Sequence, residues 1–438
     1  MSAGGPIPWA SEAAQERVRE IQGGSEPGTP EDLARAREAV GRHVARMDGE
    51  GLVLYAGSNA PVAAVHDAEA GMRPSLGHPG EKLQPGLGDL EVLEVLTTRA
   101  VASAIRARYA DVRVPSATIA NLAAYAALTE VGAVTAALPR WAGGHDNHHV
   151  EGGAGIRGHR VVELPYDPAA LDVDVAALPA FLERERPALI ALGGSLMLFP
   201  HRLSEIVPLA HAAGARVLYD ASHMAGLIAG GRFQDPLADG VDVVTFSTYK
   251  SFGGPPGGAV AADDPDVAAR VSAAVHPGLT ANYDAGRFRA LHIAAAELLA
   301  NGPAYAAGCI DAARALAQAL HAEGLHVAGA ARGFTESHHV AVALPESMTG
   351  EWAVGRLARA GMYLSAARVP GPDGPVAALR LGTQELVRRG FGADDMAAVA
   401  ALIARVLAGG EAPEDVRPDV AAMRRARDGR PSRTYRAR

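Results

Sequence analysis

Cysteine, aromatic residues and long hydrophobic runs are all scarce in this sequence. The single cysteine, Cys309, excludes a disulfide within the chain and fits a reducing compartment. No apolar run approaches the roughly 20 residues that a membrane-spanning helix needs, and prolines interrupt the N-terminal stretch where a signal peptide would need an apolar core. We therefore expect a cytoplasmic protein that has no membrane partner.

Charged residues are also few, at 21% of the 438 residues, whereas 48% of the residues are hydrophobic. A chain of this length and composition can bury a large core and is expected to fold into two domains. The net charge of −8 argues against nucleic acid as a partner, although the end of the chain, from Met423 onward, is basic. We expect this basic tail to be solvated or to pack on a neighbouring subunit.

Short apolar runs alternate with helical patterns over the first two thirds of the chain. The strand-like runs are 131–137, 160–164, 188–192, 217–219 and 241–246, and helical periodicity covers 89–109, 119–128 and 203–213. Strands that alternate with helices favour an α/β fold with a mostly parallel sheet covered on both faces. A long helical stretch, about 283–322, then leads to a smaller C-terminal unit with strand-like runs at 340–344 and 377–381.

Two helices precede the first strand, and Thr29, followed by Pro30, is the clearer of their two N-cap signals. The glycine-rich residues 23–28 between these helices indicate a linker. We divide the chain into an N-terminal helical arm (1–56), a large cofactor-binding domain (57–280), a linking helix with a small C-terminal domain (281–410) and a basic tail (411–438).

The most informative stretch runs from Val217 to Gly258. One apolar run ends at Asp220, three residues before His223, and the next ends just before Ser247, three residues before Lys250. The carboxyl ends of parallel strands meet at one edge of a sheet, where ligands bind. A lysine that forms a Schiff base with pyridoxal phosphate (PLP) needs a carboxylate that keeps the pyridine nitrogen protonated. Asp220 and Lys250 would be that pair.

Each of these two residues has an ordinary explanation when it is taken alone. An aspartate at a strand end often caps a helix, and a lysine in a loop usually faces water. Small residues follow Asp220, and the glycine-rich segment 253–258 follows Lys250. These flanking residues favour a cofactor site over the ordinary explanation.

Two further segments suit a phosphorylated cofactor, although neither is specific. Ser116, Ala117 and Thr118 precede a helical pattern, and hydroxyl and N–H groups at the start of a helix bind phosphate. The second segment is Gly-Gly-His-Asp-Asn-His, which places His145 and His148 close together, with His149 next in the chain. A zinc site and an exposed polar loop are the alternatives for these histidines, and the zinc alternative lacks a nearby cysteine and the HExxH spacing.

These motifs together resemble the serine hydroxymethyltransferase family of fold-type I PLP enzymes. The matching segments are Asp-x-x-His-x-x-Gly-Leu-Ile-Ala-Gly from Asp220, Asp-Val-Val-Thr-x-Ser-Thr-x-Lys-Ser from Asp242, Gly-Gly-His-x-x-His from Gly143 and Arg-x-Gly-Thr from Arg380. The resemblance covers about residues 50 to 408. It implies a PLP-dependent enzyme that makes or breaks the Cα–Cβ bond of a β-hydroxy-α-amino acid, with an active site shared between subunits of a homodimer or a dimer of dimers.

The resemblance also assigns the parts of the site. Lys250, Asp220, His145 and His223 would be catalytic, with His145 stacked on the pyridine ring and His223 near the cofactor's 3-hydroxyl. The other cofactor-binding residues would be Ser116, Ala117, Thr118, Ser195, Ser247 and Gly278. Arg380 would bind the substrate carboxylate, because its planar fork can make two parallel hydrogen bonds. Ser58 and His148 would lie near the substrate, and the resemblance implies no metal.

The sequence departs from the family pattern where folate-dependent hydroxymethyl transfer needs a proton carrier. The family glutamate is Leu76 here, and two paired tyrosines are Leu83 and Gln84. These departures point to the branch that holds α-methylserine hydroxymethyltransferases and aldolases, and they leave dependence on tetrahydrofolate open. A folate-independent threonine-type aldolase or transaldolase, another PLP reaction such as transamination, and a non-catalytic protein of this fold are the alternatives.

Overall fold

A computed structural model describes residues 11–22, 29–61, 66–72, 76–371 and 374–427. The predicted linker at 23–28 and residues 428–438 of the predicted basic tail lie outside the described residues. None of the helices in the described ranges is both long enough and apolar enough to cross a membrane.

The helices of the described chain are α1 (Glu12–Gln22), α2 (Pro30–Val44), α3 (Ala68–Gly71), α4 (Gly88–Ile105), α5 (Ala117–Leu128), α6 (Gly153–Ile156), α7 (Leu178–Glu185), α8 (Leu203–Ala212), α9 (Ala225–Ala229), α10 (Pro265–Ala273), α11 (Phe288–Ala322), α12 (Gly350–Arg359), α13 (Gln384–Arg388), α14 (Met396–Leu407) and α15 (Pro413–Arg425).

The strands are β1 (Leu52–Val53), β2 (Tyr109–Asp111), β3 (Val134–Ala137), β4 (Arg160–Glu163), β5 (Tyr166–Asp167), β6 (Asp172–Val173), β7 (Leu189–Gly193), β8 (Arg216–Asp220), β9 (Val243–Ser247), β10 (Gly258–Ala262), β11 (His326–Val327), β12 (His339–Ala343), β13 (Met362–Tyr363), β14 (Ser365–Gly371) and β15 (Gly374–Gly382).

A seven-stranded sheet forms the centre of the larger unit, in the order β2-β10-β9-β8-β7-β3-β4. The pairs from β9 to β4 are parallel, and β10 runs antiparallel to both of its neighbours. Strands β7, β9 and β10 are buried along their whole length, and β8 is buried except at its first residue, Arg216, as expected when helices cover both faces of a sheet. The prediction of a mostly parallel sheet between helices is confirmed.

The sequence analysis missed strands β2 and β10. Strand β10 reads Gly-Ala-Val-Ala-Ala and therefore lacks the β-branched and aromatic residues that indicate a strand. The helix that we expected over residues 89–109 ends at Ile105, where Arg106 adopts a left-handed conformation with φ of 59°. Strand β2 follows directly and becomes an edge of the sheet.

A smaller antiparallel sheet, β11-β12-β15-β14, lies C-terminal to the long helix α11. Strand β1, from the segment that we placed in the N-terminal arm, pairs in parallel with β13 of the C-terminal segment. The predicted basic tail begins with a helix rather than an irregular segment, because α15 buries Val416 and Val420 against neighbouring helices.

Helix α11 connects the two units, and it packs against α4, α9 and α14. Its contact with α9 is especially close, because glycines face each other there. A Cβ atom built on Gly230 would lie 2.4 Å from the backbone oxygen of Gly302 and 2.6 Å from the Cβ atom of Ala306. This contact fixes α9, which follows Asp220 and His223 in the chain, against the long helix.

We expect Gly230→Ala to lower the free energy of unfolding by about 1–3 kcal/mol, because the added methyl group would overpack the contact between α9 and α11. Chemical denaturation followed by circular dichroism measures this change. Gly355→Ala is the matched control: Gly355 is an exposed helical glycine with no atom within 4 Å of its built Cβ. This control should be stabilised by about 0.5–1 kcal/mol. Equal effects of the two variants would contradict the packing argument.

Candidate functional site

The candidate site lies where β8 and β9 end at the same edge of the central sheet. Asp220 is the last residue of β8 and pairs in register with Thr245 of β9, and Lys250 follows three residues after the end of β9. One cleft brings these segments together with the start of α5. It is lined by Ser116, Ala117, Thr118, Asn121, His145, Asn147, Asp220, Ser222, Ser247, Tyr249 and Lys250. Most of the residues that the sequence assigned to the cofactor therefore share one cleft.

Asp220 is buried and makes three hydrogen bonds. Its Oδ2 atom accepts from Asn121 Nδ2 at 2.9 Å and from His148 Nε2 at 3.2 Å, and its Oδ1 atom accepts from the backbone N–H of Ser222 at 2.9 Å. Because a carboxylate only accepts, His148 carries its proton on Nε2. Its Nδ1 atom then accepts from the Tyr125 hydroxyl at 2.5 Å.

This network sets the charge of Asp220. Burial alone would raise the pKa of its carboxyl group, but the hydrogen bonds from His148 and Ser222 and the electrostatic influence of His148 and His145 lower the pKa well below its usual range. Burial also raises the pKa of the Tyr125 hydroxyl, which therefore stays protonated as a donor. Asp220 is consequently a permanent anion inside a buried site.

Lys250 lies beside His223, and its Nζ atom is 3.2 Å from His223 Nε2. His223 Nδ1 donates to the backbone oxygen of Ala56 at 3.1 Å, so its Nε2 atom carries the lone pair that faces the amine. Burial lowers the pKa of Lys250 to about 8. The nearby charge of Arg380 also lowers this pKa, and the charge of Asp220 raises it. The site thus contains a buried anion and an amine that is close to neutral.

The start of α5 is shaped to accept a phosphate group. The Ser116 hydroxyl caps the helix by accepting from the N–H of Ile119 at 3.3 Å, and the first N–H groups of a helix have no partner within it. A Cβ atom built on Gly258 would lie 2.4 Å from Ser116 O and 2.9 Å from Ala117 N, so a side chain there would fill this cradle. Residues 116–118 together with Gly258, which we name the phosphate cradle, fit the phosphate of PLP.

Arg380 lies on β15, and two hydrogen bonds fix its guanidinium group. Its Nε atom donates to Ser365 Oγ at 3.1 Å, and Nη1 donates to the backbone oxygen of Ser195 at 2.5 Å. No carboxylate of the described residues pairs with it. Arg380 is therefore a positioned cation whose charge is available to an anionic ligand.

Three of the predicted site residues lie elsewhere than expected. His148, which we expected near the substrate, is buried, and both of its ring nitrogens are bonded, to Asp220 and Tyr125. The Ser58 hydroxyl donates to the buried carboxylate of Glu385 at 2.7 Å. Gly278 is exposed in the turn after α10 and does not line the described part of the cleft. The first two side chains bond to neighbouring protein groups, and their places near the substrate stay predictions.

The histidines of the predicted loop point to different partners, which disfavours the zinc alternative. His145 Nδ1 accepts from the N–H of Asn147, His148 binds Asp220 and Tyr125, and His149 Nε2 donates to Leu138 O at 3.0 Å. Of these, His145 is half-buried and faces the cleft. This position suits the stacking on the pyridine ring that the sequence suggested.

A second group of histidines, His223, His338 and His339, lies beneath Lys250, with one ring nitrogen from each within 4.8 Å of the others. All three are buried. Burial lowers the pKa of His338 to about 3 and the pKa values of the other two well below their usual range. The neighbouring cations Lys250 and Arg380 act in the same direction and also disfavour a metal ion. We interpret the group as a neutral floor beneath the lysine.

The sequence analysis did not assign Asn121, Tyr125 and Thr245. Asn121 lies one helical turn after Thr118 and therefore faces the same side of α5, and this spacing was the available signal. The Thr245 hydroxyl donates to Asn121 Oδ1 at 2.5 Å, which turns the amide nitrogen toward Asp220. These residues determine how the carboxylate is held.

Comparisons with known proteins agree with this geometry. The family model of serine hydroxymethyltransferase matches residues 38–403. An alpha-methylserine aldolase of Variovorax paradoxus is 41% identical over 410 residues, which cover 92% of each chain. A serine hydroxymethyltransferase of Methanopyrus kandleri is 39% identical over 402 residues, 90% of this chain and 94% of that protein. The crystal structure of L-threonine transaldolase from Pseudomonas fluorescens in the internal aldimine state superposes with a TM-score of 0.82 at 26% identity, over 95% of this chain and 94% of that chain.

We expect the amine of Lys250 in the cofactor-free protein to react with PLP with a half-maximal rate near pH 8, because only the neutral amine attacks a carbonyl carbon and its pKa is lowered to about 8. Below this pH the amine is protonated and the rate falls. Stopped-flow absorbance measures the rate, and Lys250→Ala protein gives the background from Lys82, the other lysine of the sequence. A midpoint near 10.5, the ordinary value for lysine, would show that the site does not lower the pKa.

Proposed function

The chain belongs to the serine hydroxymethyltransferase family of PLP-dependent enzymes, and from this premise we propose that it cleaves α-methylserine-type β-hydroxy-α-amino acids without folate. The predicted family, the fold-type I architecture and the class of PLP-dependent transferase or aldolase are confirmed. The substrate and the independence from folate are the proposed part.

The loop from Leu76 to Gly86 supports the proposal that folate is not needed. Leu76 stands where the family has a glutamate, and its side chain cannot transfer a proton. Gln84, in place of a tyrosine, accepts a hydrogen bond from the Leu76 N–H at 3.1 Å, and the N–H of Leu83 donates to Leu76 O at 3.2 Å. The loop is thus closed on itself by the residues that differ from the family pattern. It offers no acid or base at position 76 for a folate-borne carbon unit.

The remaining residues suit cofactor-dependent cleavage. In the proposed arrangement, Lys250 would bind the aldehyde carbon of the cofactor, the phosphate cradle would hold its phosphate, Asp220 would face the pyridine nitrogen and His145 would pack on the ring. PLP, when bound, supplies an acceptor for the electron pair that is left on Cα when the Cα–Cβ bond breaks. Arg380 binds the substrate carboxylate and thereby orients the bond that is cleaved.

Cleavage also needs an acceptor for the proton of the β-hydroxyl group. As the Cα–Cβ bond breaks, Cβ becomes the carbonyl carbon of an aldehyde and the hydroxyl proton leaves. Burial lowers the pKa of the Lys250 amine to about 8, so this amine can take up a proton near that pH, whereas the pKa of His223 is lowered so far that its imidazole stays neutral. When it is not bonded to the cofactor, the Lys250 amine is the proposed proton acceptor, and the same proton is returned to Cα to give the product amino acid.

The proposal predicts that purified enzyme with PLP releases formaldehyde and alanine from α-methylserine at the same rate with and without tetrahydrofolate. Formaldehyde is measured colorimetrically and the amino acid by chromatography, with serine and threonine as competing substrates. Lys250→Ala should lose the activity. Strict dependence on folate would contradict the proposal and indicate a hydroxymethyltransferase, and a keto acid product would indicate transamination.

We further propose that the enzyme is a homodimer. Val92, Val95 and Leu96 on one face of α4 are 56%, 45% and 40% exposed, and Leu299 on the adjoining α11 is 51% exposed. Helices α4 and α11 pack against each other, and His292 Nδ1 of α11 contacts Leu96 O of α4. An apolar surface of this kind marks a protein interface. Gly278, exposed in one chain, would then face the site of the other subunit.

Sedimentation velocity at micromolar concentration should show a dimer, and Val95→Glu should shift the protein toward monomer because a charge would be buried in the interface. Val131→Glu is the control, since Val131 is 69% exposed after α5 and lies away from this surface. A monomeric wild-type protein would contradict the proposal, as would equal effects of the two substitutions.

A further inference from the structure

Arg287, just before α11, is buried without a carboxylate partner. It is 5% exposed, and among the described residues none of the ion pairs involves it. The nearest acids, Asp284 and Asp111, act on it only through their charge, and each has another partner: Asp284 pairs with His66, and Asp111 with Arg113. A buried charge without a partner is costly, so a bound anion is expected near it.

Its hydrogen bonds place Arg287 against the chain that leads into the phosphate cradle. The Nη2 atom donates to the backbone oxygens of Val112 and Val114, and the bond to Val114 is 2.8 Å long. Ser116, the first residue of the cradle, follows two residues later. The guanidinium group thus holds the strand end from which α5 begins.

The Nη1 atom of Arg287 faces Gly257, in the glycine-rich segment that follows Lys250. The Nη1 atom is buried and has no hydrogen-bond partner within the described part of the chain. A Cβ atom built on Gly257 would lie 1.9 Å from Nη1 and 3.1 Å from Thr248 Oγ1. Gly257 directly precedes Gly258, which forms the wall of the phosphate cradle. Nη1 therefore lies against Gly257, the residue before the Gly258 of the cradle.

The charge of Arg287 persists at neutral pH. Burial lowers the pKa of its guanidinium group, but only to about 10. The start of α5 adds a partial positive charge to the same region. The phosphate cradle thus combines helix N–H groups and hydroxyls with a buried cation behind them. Asp220, the anion that we assign to the pyridine nitrogen, lies at the other end of the site.

We propose that Arg287 is a positioning residue for the cofactor phosphate: its positive charge is balanced by the phosphate group, and its hydrogen bonds to Val112 and Val114 hold the phosphate cradle in shape. The inference rests on the proposed binding of PLP in this cleft. It extends the site to a residue outside the segments that resemble the family motifs, and it assigns the charge of Arg287 to phosphate recognition rather than to the reacting atoms.

The test compares PLP with pyridoxal, which has the same ring and aldehyde but no phosphate. The full-length protein is freed of cofactor, and both ligands are titrated by absorbance and fluorescence. Arg287→Gln keeps an N–H donor for the backbone oxygens but removes the charge. It should weaken the binding of PLP by about 10- to 100-fold, as expected for a charge-assisted contact, and leave the binding of pyridoxal within about twofold.

Arg287→Lys is the matched variant, since it keeps the charge and loses the planar fork. It should retain most of the preference for PLP over pyridoxal. Equal weakening of both ligands in Arg287→Gln would overturn the proposal by indicating a general structural function, and unchanged binding of both would overturn it as well. If Arg287→Lys loses the preference as fully as Arg287→Gln, the charge is not the cause.

A second readout does not depend on the folding of Arg287→Gln. Inorganic phosphate should raise the melting temperature of the cofactor-free wild-type protein and of Arg287→Lys, because an anion that binds only the folded state stabilises it. Absence of this stabilisation in the wild type would overturn the proposal. None of these measurements uses an amino-acid substrate, so they remain decisive if the proposed cleavage reaction is wrong.

Discussion

The site depends on one buried carboxylate, Asp220, that the fold keeps ionised. A buried acid ordinarily gains a proton, because desolvation penalises its charge. Here Asn121, His148 and the backbone of Ser222 supply three donors to its two oxygens. The donors come from α5, from the loop after β3 and from the turn after β8, so the charge of one side chain requires three segments to be placed together.

The basic groups near this anion lie in the same buried environment, and there burial lowers their pKa values. The same burial that Asp220 resists lowers the pKa of Lys250 to about 8 and the pKa of His223 well below its usual range. Environments that push the pKa values of nearby groups apart separate the groups into fixed charges and proton acceptors. Asp220 and Arg380 are the fixed charges, His223 stays neutral, and Lys250 is the group that can exchange a proton near neutral pH.

The sequence predicted the residues whose positions follow from the ends of strands. Asp220 and Lys250 meet because β8 and β9 are parallel neighbours, and residues 116–118 join them because α5 begins at the same edge. It did not reveal that His148 bonds to Tyr125 and Ser58 to Glu385, because these partners are distant in sequence, and the substrate contacts of His148 and Ser58 stay predictions. Arg287 was not predicted either, because its partners are backbone oxygens, which no sequence pattern reveals. Strand β10 was missed because alanine and glycine give little strand signal.

The most direct test of this account is the protonation state of the cofactor nitrogen. PLP labelled with ¹⁵N at the pyridine nitrogen can be bound to the wild-type protein and to Asp220→Asn, and the ¹⁵N chemical shift measured by NMR between pH 6 and pH 9. An ionised Asp220 predicts a protonated pyridine nitrogen across this range in the wild type and a neutral nitrogen in Asp220→Asn. A neutral nitrogen in the wild type, or the same shift in both proteins, would contradict the central claim that Asp220 sets the charge of the site.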